Sequence, residues 1–222
     1  MPLALFDLDN TLLAGDSDYA WGEFLVREKK VDPDHYARMN AQFYEDYQQG
    51  RLDIFEYLRF ALAPLATIEP QALLALHSKF MAEVVSQMWL PAAEALVEKH
   101  RRAGDRLLVI SATNRFIVEP ICQRFGIDEV IATELEQKDG RYTGNVAGVP
   151  SYQQGKVTRL QDWLDANGET LAGSSFYSDS INDLPLLAVV DRAVAVNPDD
   201  LLSAEASRRG WPVLDLRGGA GH

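Results

Sequence analysis

The sequence predicts an α/β fold: a doubly wound parallel sheet with a helical domain inserted after its first strand. Short apolar runs such as Leu3–Phe6 are typical of parallel strands that are buried on both faces. From residue 89 onward such runs alternate with helical patterns, which favours a parallel sheet joined by right-handed crossovers. Between the first run and residue 89 only helical patterns occur, and that interval is too long for an ordinary connection.

The interval 14–88 is predicted to be a helical lid domain. Trp21, Phe24 and Leu25 recur at helical spacing. Asp32 followed by Pro33 is typical of a helix start, Asp53 begins another helix, and a further helix is predicted over residues 70–88. The core domain is then predicted to comprise residues 1–13 and 89–222.

The second half supplies the remaining elements of the sheet and its covering helices. Gly104 is expected to end a helix that begins at Pro91, and Asp139-Gly140 marks a hairpin turn. Residues 217–222 are poor in apolar side chains and are predicted to form a loose tail. Strands are predicted over residues 106–110, 130–133, 174–177 and 193–196, and helices over residues 91–103, 116–125 and 156–166.

Composition excludes several classes of function. The 222 residues carry a net charge of −12, which argues against binding to nucleic acid or to an anionic membrane and requires a local positive site for any anionic substrate. No basic segment followed by a long apolar run opens the chain, so the expectation is a cytoplasmic protein without signal peptide or membrane span. The single cysteine, Cys122, cannot form an internal disulfide. Nothing in the sequence predicts an oligomeric state.

Polar residues follow the predicted strands at the edge of the sheet where ligands bind in doubly wound folds. Asp7 and Asp9 come directly after the first strand, either as a metal site or as an acidic turn. Ser111 and Ala112 follow the second strand, where free amides at the start of the next helix could hold a phosphate oxygen, unless Ser111 is only a helix cap. Lys156 near a helix start suggests a bound anion, the alternative being a solvated surface lysine.

A second pair of carboxylates, Asp179 and Asp183, follows a later strand. Together with Asp7 and Asp9 they would concentrate negative charge at one crevice, which a divalent cation would compensate. Mg²⁺ typically binds through one or two carboxylates and substrate phosphate. The sequence therefore predicts a magnesium site at which a substrate phosphate also binds.

These four stretches, in this order, resemble the motifs of the haloacid dehalogenase superfamily. The stretches are Asp-x-Asp-x-Thr at Asp7, Ser111, Lys156, and Asp-x-x-x-Asp at Asp179. The helical insertion resembles the C1 cap of the type IB group, which contains phosphoserine phosphatase-like and histidinol-phosphatase-like hydrolases. Two further stretches are similar to that group: Ser-Asp-Ser-Ile-Asn-Asp at 178–183 and the hairpin residues 138–144.

The resemblance implies a role for each motif residue. Asp7 would be the nucleophile that becomes an aspartyl-phosphate, and Asp9 would protonate the leaving alcohol and then activate water. Mg²⁺ would be held by Asp7, the backbone carbonyl of Asp9, and Asp179. Ser111, Ala112 and Lys156 would hold the phosphoryl oxygens, Asn182 would bind phosphate or water, Asp183 would orient Lys156, and Thr11 would buttress the turn after Asp9.

Asp9 favours hydrolysis of a phosphate ester, since an alkoxide leaving group needs a proton whereas a halide does not. A closing cap favours a small substrate. Transfer of the phosphoryl group to another alcohol, as in the phosphomutases of the superfamily, is a second possibility. A non-catalytic phosphate-binding scaffold is a third, disfavoured because all the acids are present.

Two cap positions limit which charged groups the substrate can carry. By the resemblance, Asp16 lies where relatives bind a substrate amine, while the arginine that binds a substrate carboxylate is replaced by Ala61 or Leu62, depending on the register. A small amine-bearing phosphate ester without a carboxylate is therefore predicted, with histidinol phosphate favoured and its imidazole stacked on Trp21 or a cap tyrosine. Phosphoserine remains the alternative, if Arg51 or Arg59 reaches the site.

Overall fold

The computed structural model describes residues 1–218, so the predicted loose tail, residues 217–222, lies outside the described residues except for its first two positions. Within residues 1–218, six parallel strands form one sheet, in which the first strand of the chain lies between the second and the sixth, and helices cover both faces. The predicted α/β class with a doubly wound parallel sheet is confirmed. The strands are β1 (Leu3–Phe6), β2 (Arg106–Asn114), β3 (Glu129–Thr133), β4 (Leu135–Lys138), β5 (Arg141–Val146), β6 (Ser175–Ser178), β7 (Arg192–Val196) and β8 (Val213–Leu214). The helices are α1 (Ser17–Arg27), α2 (Pro33–Gln48), α3 (Ile54–Thr67), α4 (Pro70–Glu83), α5 (Pro91–Ala103), α6 (Arg115–Arg124), α7 (Gln154–Asn167), α8 (Leu184–Leu187) and α9 (Asp200–Arg209).

Helices α1 to α4 form the predicted insertion between β1 and β2. Their starts follow the expected chemistry, since Asp32 and Asp53 each accept hydrogen bonds from backbone N–H groups of the first turn. The predicted helix over residues 70–88 is wrong in its second part. The α-helix ends at Glu83, and a 3-10 turn, Val85–Met88, brings the Met88 carbonyl to the Ala14 N–H at 2.8 Å.

The segments that join the insertion to the core run side by side. Leu13 and Trp89 form an antiparallel bridge next to the bond between Ala14 and Met88. The aromatic core of the insertion continues into the core domain, because Trp21 packs edge-on against Phe116 of α6 with ring centroids 5.8 Å apart. Apolar packing therefore holds the base of the insertion on the sheet.

Elsewhere the structure extends or adds to the predicted elements. The second strand continues from residue 110 to Asn114, because Asn114 pairs with Thr133 after a register shift. The sequence does not predict strand β8, because two residues are too few to show the apolar run that indicates a buried strand. The predicted hairpin is confirmed by the antiparallel pair of β4 and β5. Within residues 1–218 no helix is both long and apolar enough to span a bilayer.

Candidate active site

The motif residues lie together at the carboxyl end of β1, where the order of the strands in the sheet reverses. The chain leaves β1 with the Asp7 N–H donating to the Tyr177 carbonyl of β6 at 2.9 Å. Parallel strands end at one edge, so β1, β2 and β6 deliver their polar residues to the same crevice. Each motif side chain is at most 8% exposed: Asp7, Asp9, Thr11, Ser111, Lys156, Asp179, Asn182 and Asp183.

Lys156 is the cation at the centre of the site. It is 2% exposed, and its Nζ donates to Asp7 Oδ1 and to Asp183 Oδ2, each at 2.8 Å. The alternative of a solvated surface lysine is therefore wrong. Gly155 makes this position possible, because a Cβ there would lie 2.1 Å from the Pro150 carbonyl oxygen. Asp183 is fixed in turn by the Ser178 hydroxyl, which donates at 2.7 Å.

The carboxylates around Lys156 carry more negative charge than it can balance. Burial raises the pKa of Asp7 to about 7, although the charge of Lys156 works in the opposite direction. Burial also raises the pKa of Asp179 well above its usual range, and the charges of Asp7 and Asp183 add to that rise. Lys156 is bonded to only two of these three buried carboxyl groups, Asp7 and Asp183, and a further cation would stabilise the ionised form of Asp179.

Asp9 is held in one orientation by two donors that the sequence did not identify. The Ser17 N–H donates to Asp9 Oδ1 at 2.6 Å and the Thr113 hydroxyl donates to Oδ2 at 2.9 Å. Burial raises the pKa of Asp9 to about 7, and the charge of Asp16 adds to the rise. A carboxyl group with this pKa can both give and take a proton near neutral pH.

Ser111 and Ala112 line the cleft beside the two aspartates. Asn114, and not Ser111, caps α6 through a bond from the Ile117 N–H at 3.4 Å. The Ser111 hydroxyl oxygen accepts from the Thr113 N–H at 3.2 Å and can still donate. The helix-cap alternative for Ser111 is therefore wrong, and its hydroxyl is available to an anion in the cleft.

Thr11 is placed differently from expectation, and Asn182 makes contacts that the sequence did not predict. The Thr11 hydroxyl donates to Asp179 Oδ1 at 3.1 Å and accepts from the Asp179 N–H at 3.0 Å, so it buttresses Asp179 and not the turn after Asp9. That turn is held by backbone bonds to the Leu8 carbonyl. The Asn182 amide joins the cap to the core: its Nδ2 donates to the Tyr47 carbonyl at 2.9 Å, and its Oδ1 accepts from the Tyr152 hydroxyl at 2.9 Å.

A cleft extends from Asp7 and Asp9 into the cap. Asp16 lies in it, with one carboxylate oxygen accepting from the Tyr19 N–H of α1 at 2.8 Å. Among residues 1–218 the cleft is lined by four aspartates and by no lysine, arginine or histidine. The lining residues are Asp7, Asp9, Asp16, Asp18, Tyr19, Asn40, Phe43, Tyr44, Tyr47, Leu52, Ile54, Tyr57, Ser111, Ala112, Thr113 and Tyr152.

Several cap residues considered for substrate binding do not line this cleft. Trp21 is 2% exposed and packs against Phe24 and Phe80, so the prediction that it stacks on substrate is wrong. The other prediction was that a cap tyrosine stacks on the substrate. Four cap tyrosines line the cleft and are candidates for this contact: Tyr19, Tyr44, Tyr47 and Tyr57. Arg51 pairs with Asp46 at 3.0 Å, and Arg59 lines a separate surface cavity beside α2 and α3. Neither arginine supplies the cleft with a cation.

Comparisons with known proteins show the family of this chain. Residues 4–188 match the family of haloacid dehalogenase-like hydrolases. The chain is 51% identical over 219 residues to a histidinol-phosphatase of Neisseria meningitidis serogroup C (strain 8013), covering 97% of this chain and 99% of that one.

Solved structures give the same result for the fold. A protein of unknown function from Bordetella pertussis Tohama I aligns with a TM-score of 0.91 and 44% identity, covering 97% and 98% of the two chains. A substrate-bound phosphoserine phosphatase aligns with a TM-score of 0.72 and 19% identity, covering 97% and 95%, which supports the fold alone. The paired aspartates after β1, the buried lysine and the family match lead to one conclusion: this chain belongs to the haloacid dehalogenase-like hydrolases and is a phosphoric monoester hydrolase of that family.

Proposed function

We propose that the enzyme hydrolyses a small amine-bearing phosphate ester, with histidinol phosphate as the favoured substrate. The observation that carries this proposal is the charge of the cleft: among residues 1–218 its lining includes four aspartates and no basic residue, and Lys156 at its base is already paired with Asp7 and Asp183. A substrate amine would be matched there, whereas a substrate carboxylate would be buried without a partner, at a cost of several kcal/mol. The name of the relative from Neisseria meningitidis supports the same substrate.

In the proposed reaction Asp7 attacks phosphorus and the ester bond breaks, leaving an aspartyl-phosphate. Asp9 gives its proton to the departing alkoxide and later takes one from the water that attacks the phosphorus and releases phosphate. Two contacts support these roles. Lys156 donates to Asp7 at 2.8 Å and stabilises its anionic, nucleophilic form, while Ser17 and Thr113 fix the Asp9 carboxyl beside it.

Mg²⁺ is proposed as the cofactor, held by the carboxylates of Asp7 and Asp179 and by the Asp9 backbone carbonyl. Within residues 1–218 no group of three acidic, histidine or cysteine side chains forms a metal cluster. The donor set nevertheless suits Mg²⁺, which commonly takes one or two carboxylates and completes its shell with substrate phosphate and water. The unbalanced negative charge around Lys156 favours a cation here, and when bound it would neutralise charge on the phosphoryl oxygens.

We infer that residues 14–88 act as a lid over this site, with the paired segments near Ala14-Gly15 and 89–91 as the hinge. The Asn182–Tyr47 hydrogen bond and the Tyr47–Tyr152 ring contact at 6.2 Å, which join α2 to the core at the mouth of the cleft, support this role. Closure would exclude bulk water and large substrates.

The deciding experiment compares kcat/KM for histidinol phosphate and for phosphoserine, with and without Mg²⁺. We expect a clear preference for histidinol phosphate and loss of activity when the metal is chelated. A preference for phosphoserine would overturn the substrate proposal. Added glycerol or ethanolamine as acceptor tests phosphoryl transfer, since products other than inorganic phosphate would favour the phosphotransferase alternative.

A further inference from the structure

The cleft holds one more carboxylate than the reaction and the amine require. Asp7 and Asp9 serve the phosphoryl group, and Asp16 is the proposed partner of the substrate amine. Asp18 also lines the cleft, although it lies two residues further along α1. Residues two apart on a helix do not share a face, but Asp16 is the extended N-cap of α1, so both side chains reach the cleft. The role of Asp18 is not accounted for by the proposed reaction.

The two cap aspartates have different neighbours. Asp16 is the N-cap of α1 and accepts from the Tyr19 N–H at 2.8 Å, and the next residue, Ser17, donates its backbone N–H to Asp9 at 2.6 Å. Asp18 lies in the first turn of α1 and interacts with the Tyr57 hydroxyl of cap helix α3. Asp18 is therefore the cleft aspartate that lies beside the tyrosine of α3.

The surroundings of Asp18 suit a planar cation. Tyr57 and Phe43 line the same part of the cleft and contact each other edge-to-face with ring centroids 5.5 Å apart. Burial raises the pKa of Asp18 to about 7, while its interaction with the nearby Tyr57 hydroxyl works in the opposite direction. No lysine, arginine or histidine among the described lining residues neutralises this carboxylate. A cation brought by the substrate would do so, and aromatic faces bind planar cations favourably.

We propose that Asp18 is a specificity-determining residue that binds a second cationic group of the substrate, the imidazolium ring, with Tyr57 as its positioning residue. This inference rests on the proposed function. In histidinol phosphate the amine and the imidazolium ring are two separate cationic groups, one for each of the two cap aspartates that line the cleft. The cap would then select a phosphate ester with two cationic groups, and it would reject phosphoserine by charge repulsion from Asp18 as well as by the missing arginine.

The test uses three substrates: histidinol phosphate, phosphoethanolamine, which has the amine but no ring, and p-nitrophenyl phosphate, which has neither. We expect Asp18→Asn to lower kcat/KM for histidinol phosphate about 10- to 100-fold, mainly through KM, as a lost bond to a charged group predicts. Its kcat/KM for the other two substrates should fall by a smaller factor, so that the preference for histidinol phosphate over both decreases. Asp16→Asn should weaken both amine-bearing substrates. Asp34→Asn, an exposed first-turn acid of α2, is the matched control.

Tyr57→Phe provides a second variant in case Asp18→Asn folds poorly. It should reduce the preference for histidinol phosphate over phosphoethanolamine, whereas a purely structural role would change all three substrates equally. The inference is overturned if the parent prefers histidinol phosphate and Asp18→Asn keeps that preference, or if Asp18→Asn loses activity equally on all three substrates. Failure of the proposed function looks different: the parent itself would hydrolyse histidinol phosphate no better than phosphoethanolamine.

Discussion

The Asn182 side-chain amide donates to the Tyr47 backbone carbonyl at 2.9 Å and so joins the loop after β6 to cap helix α2. This bond spans 135 residues of sequence and lies beside the mouth of the cleft. The same amide accepts from Tyr152 and Gln153 through its oxygen. Asn182 is therefore a link between the cap and the core, in addition to its predicted role near the phosphate.

We expect Asn182→Ala to loosen the cap. Loss of the bond to Tyr47 should raise KM and should speed amide exchange in α2 when a phosphate analogue is bound, because closure contributes to substrate binding. Hydrogen exchange read by mass spectrometry measures this directly. Asn167→Ala is the control, since Asn167 also donates to a backbone carbonyl but within α7. Identical exchange of α2 in Asn182→Ala and the parent would contradict the proposed lid.

Lys156→Met should destabilise the protein strongly at alkaline pH and less at acid pH. Removing one partner of a buried ion pair costs about 3–5 kcal/mol, because Asp7 and Asp183 lose their cation. Burial already raises the pKa of Asp7 to about 7, above its unfolded value of 3.8, so the folded state takes up a proton more readily. As the pH falls below that value the carboxyl becomes neutral and needs no cation.

The measurement for Lys156→Met is urea unfolding in metal-free buffer at pH 6 and pH 8. The loss of unfolding free energy relative to the parent should be larger at pH 8. Lys138→Met, at an exposed position of the hairpin, is the control and should change little. A loss for Lys156→Met that is equal at both pH values would show that unbalanced carboxylates are not the cause.

The sequence located the proposed site residues better than their neighbours. Asp7, Ser111 and Asp179 could be located because each follows a strand, and the ends of parallel strands meet at one edge. The contact of Thr113 with Asp9 depends on how β1 lies against β2, which a local pattern does not specify. Helical spacing identifies Trp21 as part of an apolar helix face but not what covers that face, so its packing against Phe116 and not against substrate could not be predicted.

Asp7→Asn should abolish turnover while preserving the fold. The nucleophile is lost at nearly constant volume, so kcat should fall by about 10³-fold or more, as loss of a catalytic nucleophile does elsewhere. Phosphate release from p-nitrophenyl phosphate measures this, with Asp139→Asn in the exposed hairpin turn as control. Activity of Asp7→Asn close to that of the parent would rule out the aspartyl-phosphate.

Beryllium fluoride with Mg²⁺ should raise the thermal midpoint of the parent enzyme but not that of Asp7→Asn. The fluoride imitates the acyl-phosphate and needs the Asp7 carboxylate, and a ligand at 100 times its Kd stabilises a protein by about 2.7 kcal/mol. Differential scanning fluorimetry with and without each component separates the effect of the metal from that of the fluoride. An equal rise in both proteins would mean that the anion binds away from Asp7.

His77→Phe should reduce the sensitivity of the fold to acid. His77 is buried among Trp21, Phe80 and Phe116, and within residues 1–218 its Nε2 has no hydrogen-bond partner. Burial lowers the pKa of His77 below its unfolded value of 6.5, so the unfolded chain takes up a proton first. The contribution of neutral His77 to the free energy of unfolding is therefore complete above pH 6.5 and decreases as the pH falls below 6.5. Phenylalanine keeps the ring contacts and removes the titrating group, so the drop in thermal midpoint between pH 7.5 and pH 5.5 should be smaller than in the parent.

His35→Gln, at an exposed position of α2, is the control and should show the same drop in thermal midpoint as the parent. If His77→Phe also shows the drop of the parent, the acid sensitivity belongs to other groups.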